Sequence, residues 1–60
     1  MNSYELGERV LHAERRWGRV VGVSKDIEYV GRVWLIRFDE ADAAGGHIAW
    51  IPESDLERAR

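Results

Sequence analysis

Residues Gly31 to Phe38 read GRVWLIRF, a glycine followed by seven positions of mostly β-branched or aromatic character. Such a run forms a strand, because branched and aromatic groups fit a pleated surface and lose rotamer freedom in a helix. Side chains alternate along a strand. Trp34, Ile36 and Phe38 therefore share one face, and Val33, Leu35 and Arg37 share the other. Three further segments have the same character: Arg9 to His12 (RVLH), Gly18 to Val23 (GRVVGV) and His47 to Ile51 (HIAWI). No window places apolar residues at the spacing of one helix face.

Short strands punctuated by glycine over 60 residues leave room for one small domain. The expected fold is all-β, a single SH3-like (Tudor-like) barrel of about five antiparallel strands. Residues 7–60 form the barrel and residues 1–6 an N-terminal extension. Ser24 to Tyr29 is expected to be a polar loop, and the acidic, glycine-ended stretch Asp39 to Gly46 a mobile one. Pro52 has no N–H to donate and so cannot continue the preceding strand, which is expected to end at Ile51. The PESD stretch at 52–55 suits a 3₁₀ turn, after which Leu56 opens a short last strand. Gly18 and Gly22 are placed at a turn and a bulge.

The chain has no cysteine, which removes disulfides and thiolate metal sites. Its two histidines have no metal-ligand spacing, and no cofactor is expected. The core must come from apolar packing, with Trp17, Trp34 and Trp50 the largest pieces. His12, on the inward face beside Val10, is expected to be hydrogen-bonded structure, and His47 a solvated loop residue. Ser3, Ser24 and Ser54 sit in termini or turns with no oriented base beside them, so no catalytic constellation is expected and the expectation is a non-enzymatic protein. No apolar run approaches the ~18 residues of a membrane span. A soluble, cytoplasmic protein, monomeric or weakly homo-oligomeric, is the expectation.

Net charge is −2, against strong nonspecific binding to a phosphate backbone. Its distribution is uneven: residues 1–37 carry seven Lys/Arg against five Asp/Glu, and residues 38–60 two against six. Strands three and four are apolar on both faces, more than one small core can absorb. Anchoring Ile51 and Leu56 inward pushes Ile48 and Trp50 outward beside Leu35. The resulting patch is either an interface or is covered by the chain end at Tyr4 and Leu6. The expected partner-binding residues are Arg15, Arg16, Trp17, Arg19, Leu35, Arg37, Ile48 and Trp50, with Arg15, Arg16 and Trp17 at an exposed tip. The alternative is a nucleic-acid surface of Arg15, Arg16, Trp17, Arg19, Tyr29 and Arg32, with bases stacked on Trp17 and Tyr29. A second alternative is a small structural protein that forms homo-oligomers through the apolar patch.

The order of these residues resembles a group of bacterial SH3-like barrels. Gly7-Glu8-Arg9-Val10-Leu11-His12 followed by Trp17-Gly18-Arg19-Val20-Val21-Gly22-Val23 is similar to the opening of the carboxy-terminal domain of UvrD-family helicases. It is also similar to the polymerase-interaction domain of CarD-type regulators and the transcription-repair coupling factor. Trp34 to Asp39 resembles their third strand, and Trp50-Ile51-Pro52 with Leu56 their closing strand, 3₁₀ turn and last strand. The likeness covers about residues 7–57. It implies a non-enzymatic module of transcription or DNA-repair machinery that binds a protein, RNA polymerase in those relatives, through an exposed strand edge.

Overall fold

A computed structural model of the chain describes residues 4–14 and 16–59. It contains β1 (Arg9–His12), β2 (Trp17–Val20), β3 (Lys25–Ile27), β4 (Gly31–Phe38) and β5 (Ile48–Pro52). A 3₁₀ turn at Glu53–Asp55 then leads into β6 (Leu56–Arg58). The fold is all-β, small and barrel-like, as the glycine-punctuated strands predict. All pairing is antiparallel: β6 joins β1, β1 joins β2, and β2 joins β4. β3 pairs with β4 beside β2, and β5 pairs with β4 on its other side. No ladder links β5 to β6 among the described residues, so the sheet curls without closing.

The long strand β4 organises everything because it is paired on both edges. Its inward face carries Trp34, Ile36 and Phe38, buried with Val10, Val20, Ile51 and Leu56 in one cluster. Burial of apolar surface at about 25 cal/mol per Å² makes this cluster the main source of stability in a chain that has no cysteine to form disulfides. Tyr4 joins it, its ring meeting Trp34 edge-on at 5.2 Å and 85°. Burial pushes the Tyr4 hydroxyl pKa above its usual 10.0, with the Arg58 charge opposing. The amino-terminal segment therefore covers the core, while Leu6 stays 68% exposed.

Several boundaries differ from the sequence expectation, each for a physical reason. Residues 25–27 form a strand, not a loop, although all three are exposed. Their state is imposed by pairing with Gly31, Arg32 and Val33 rather than by propensity. β2 stops at Val20 instead of Val23. Val20 pairs with Ile36 and Lys25 with Val33, which leaves two more residues on the β2–β3 side than on β4. That excess is a bulge, and Gly22 sits in it with the Leu35 side chain 2.5 Å from where a Cβ would stand. Gly18 occupies no turn. It lies inside β2, where a Cβ would stand 2.7 Å from Ile36 Cγ2.

Pro52 belongs to β5 rather than ending before it, so the 3₁₀ turn starts one residue later, at Glu53. Val33, expected on the outer face, is buried to 3% exposure, flanked in register by Lys25 and Pro52. The 39–46 loop has an internal organiser. Asp42 Oδ1 accepts the N–H groups of Ala44 at 2.9 Å and Gly46 at 2.8 Å. Its backbone exchanges further bonds with Gly45 and Gly46. These N–H groups, first Gly46 and then Ala44, hold the Asp42 carboxyl below its usual pKa, with the Arg16 charge adding to the effect.

Candidate functional site

The outward face of the sheet is built by cross-strand register. Leu11 stands beside Trp17, and Asp39 donates its N–H to the Trp17 carbonyl. In the next row Arg9 stands opposite Arg19, Arg19 opposite Arg37, and Arg37 opposite Ile48. In the row beyond, the Val21 N–H donates to the Leu35 carbonyl, and Leu35 stands opposite Trp50. The face is thus a band of three arginines between an aromatic row holding Trp17 and an apolar row holding Leu35 and Trp50.

Exposure on this face is high for such side chains. Ile48 is 57% exposed, Trp50 44% and Trp17 41%. Val21 extends the apolar area, whereas Leu35 is half-buried against the Gly22 backbone. The ammonium of Lys25 lies 4.3 Å from the Trp50 ring centre, and the guanidinium of Arg9 lies 5.3 Å from that of Trp17. Arg9 Nη2 also donates to Asp39 Oδ2 at 2.8 Å. Arg19 Nη1 donates to the Gly7 carbonyl at 3.0 Å. Neither Arg19 nor Arg37 has an ion pair among the described residues.

The edge of β5 is the second element of the site. The Phe38 N–H donates to the His47 carbonyl at 2.7 Å. Antiparallel ladders alternate bonded and non-bonded pairs. The Ile36–Ala49 and Trp34–Ile51 pairs are therefore the bonded ones, and Ile48 and Trp50 aim their N–H and C=O groups away from β4. Pro52 follows the same alternation, which explains how a residue without an N–H fits there.

Six of the eight residues expected to bind a partner share this face: Trp17, Arg19, Leu35, Arg37, Ile48 and Trp50. Arg15 lies outside the described residues. Arg16 is turned inward instead of sitting at an exposed tip. Its guanidinium stacks 4.0 Å from the Phe38 ring centre, and its Nε is buried without a hydrogen-bond partner among the described residues. The arrangement follows from Phe38 closing that end of the core, where a planar cation covers an aromatic ring better than water does. His12 is likewise structural: its ring meets Phe38 edge-on at 5.7 Å, and Nδ1 accepts the Glu14 N–H at 3.2 Å. His47 is exposed with Nδ1 3.2 Å from the Phe38 carbonyl oxygen.

The residues of the nucleic-acid alternative do not converge. Arg16, Trp17 and Arg19 lie at one end of the sheet. Tyr29 is 97% exposed at the tip of the β3–β4 hairpin, and Arg32 beside it lies 3.7 Å from Asp26 Oδ1. About 17 Å of strand separates Arg32 from Arg37. Arg9, one of the arginines of the basic first part of the chain, is not among the expected site residues, since only the β1–β2 register places it opposite Arg19. No group of three or more His, Cys, Asp or Glu is gathered to hold a metal among the described residues. No helix of the described residues is long and apolar enough to cross a membrane. No family model, curated protein or solved structure matches the chain.

Proposed function

We infer that the protein is a non-enzymatic interaction module that binds an extended segment of another protein along β5 and the adjoining outer face. The observation that carries this reading is the coincidence on β5 of an open backbone edge with the exposed side chains of Ile48 and Trp50. An incoming strand would satisfy the outward N–H and C=O groups of both residues while covering apolar surface. Tyr4, the residue most able to cover that surface from within the chain, packs on the opposite side against Trp34. The setting we propose is bacterial transcription or DNA-repair machinery in the cytoplasm. It rests on the resemblance of residues 7–57 to polymerase-interaction and helicase carboxy-terminal barrels, in which RNA polymerase is one such partner.

A display library of random linear peptides, selected on the folded protein, tests the edge reading. Bound peptides should slow exchange of the Ile48 and Trp50 amides. Ile48→Pro removes an outward N–H without breaking the β4 ladder and should abolish retention of those peptides. Ile48→Glu, at a site this exposed, should unfold within about 1 kcal/mol of wild type and also lose them. Selection of no peptides, or equal retention by both variants, refutes the reading.

A further inference from the structure

The outer-face arginines raise a question that packing does not answer. Like charges directly opposite on neighbouring strands destabilise a sheet. Yet Arg9, Arg19 and Arg37 stand in one continuous row across β1, β2 and β4. The Asp39 carboxylate lies on the same face and is held by Arg9 at 2.8 Å. The Arg19 side chain has only the neutral Gly7 carbonyl, and the Arg37 side chain has no hydrogen bond, ion pair or ring contact among the described residues. Two guanidinium groups in adjacent register thus face outward with no carboxylate between them. They line an open depression of about 310 Å³ together with Phe38, Asp39 and His47. Trp17 borders the row on one side, and Leu35 with Trp50 on the other.

The geometry points to a carboxylate-binding site at Arg19 and Arg37, which reads an aspartate or glutamate of the protein segment that docks on the outer face. This rests on the reading of β5 and its face as a peptide-binding surface. A guanidinium fork matches a carboxylate in geometry and charge, and two forks side by side hold one more tightly than either alone. The flanking apolar rows add the rest of the preference: the segment carries an acidic residue close to an apolar or aromatic one. A carboxylate suits the site better than a phosphodiester strand. The chain is net negative, and its acidic 39–42 loop lies at the same end of β4, so a continuous polyanion would meet repulsion where one side chain does not.

The sequences of displayed peptides provide the test. Peptides selected on wild type should be enriched in Asp or Glu beside an apolar residue. Selection on Arg19→Gln/Arg37→Gln should keep the apolar preference and lose the acidic one. One selected acidic peptide should bind Arg37→Gln about tenfold more weakly than wild type, and its Asn or Gln analogue should bind both proteins alike. The unliganded variants should melt at or above the wild-type temperature, because a like-charge pair has been removed. Peptides that protect the β5 edge without acidic enrichment overturn the carboxylate site while leaving the edge reading intact. Selection of no peptides overturns both. Equal binding of the acidic peptide by the double variant also overturns the site. So does tighter binding of a single-stranded oligothymidine at the same arginines, or a dimer of the chain that those substitutions dissolve.

Discussion

Replacing Gly18 by alanine tests the β2–β4 register on which the arginine row depends. A Cβ at this position would stand 2.7 Å from Ile36 Cγ2, 2.9 Å from the Arg37 carbonyl oxygen and 3.1 Å from Phe38 Cδ1. Non-bonded carbons rest at about 3.5–4.0 Å, so the closest of these contacts is short by roughly 1 Å. Ile36 is fully buried, and the Arg37 carbonyl belongs to the central strand, so neither yields without opening the sheet. Overpacking of this kind costs about 1–3 kcal/mol. The lower unfolded-state entropy of alanine returns about 0.4–1 kcal/mol. The net loss is about 1–2 kcal/mol, out of roughly 3–9 kcal/mol for a domain of this size. At about 4–8 °C per kcal/mol, the melting temperature should fall by about 5–15 °C. Thermal unfolding followed by tryptophan fluorescence measures the shift. Gly46→Ala is the control: its nearest neighbour is the Asp42 carboxylate at 3.4 Å, a side chain that can move. Gly18→Ala melting within about 2 °C of wild type would refute the close β2–β4 packing and, with it, the pairing of Arg19 with Arg37.

Two other perturbations probe the loops that frame the face. The Asp42 carboxyl is held below its usual 3.8 by backbone N–H groups, so its contribution to loop order is complete above that value and is lost as pH falls through the lowered folded value. The Ala44 and Gly46 amide resonances should titrate with a midpoint below 3.8, and Asp42→Asn should abolish the titration while keeping the fold; a midpoint at or above 3.8 contradicts the assignment. At the β3–β4 tip, Tyr29 has φ 71°, a left-handed conformation that costs most residues about 1 kcal/mol, and its side chain is 97% exposed. Tyr29→Asn should raise stability by about 0.5 kcal/mol in denaturant unfolding, since asparagine tolerates this region, and a lower midpoint would refute the strain.

The parts of the fold legible in the sequence are those fixed by local pattern. GRVWLIRF declares β4 because its residues favour a strand and alternate correctly around Trp34, Ile36 and Phe38. Pro52, Leu56 and the polar residues between them mark the 3₁₀ turn by backbone chemistry alone. β3 could not be read this way, because Lys-Asp-Ile has no strand signature and becomes a strand only by pairing with β4. The outward placement of Ile48 and Trp50 was legible once Ile51 and Leu56 were taken as core, since alternation then leaves one choice. The arginine row was not, because register between strands is set by the bulge at Gly22 and the close approach at Gly18. Arg16 shows the opposite limit. Its sequence position beside Trp17 places it near the surface, but the open flank of Phe38 draws its guanidinium over the ring.

The β5 edge has a further consequence for how the chain behaves at high concentration. Pro52 stops the edge at one end, and at the other the N–H and C=O of Gly46 are already taken by Asp42. Only Ile48 and Trp50 lie between with outward backbone groups, each offering one N–H and one C=O. Two residues of open backbone give no continuous rail along which copies of the protein could stack into a growing fibril. The same brevity limits how much backbone pairing any one strand can make along this edge.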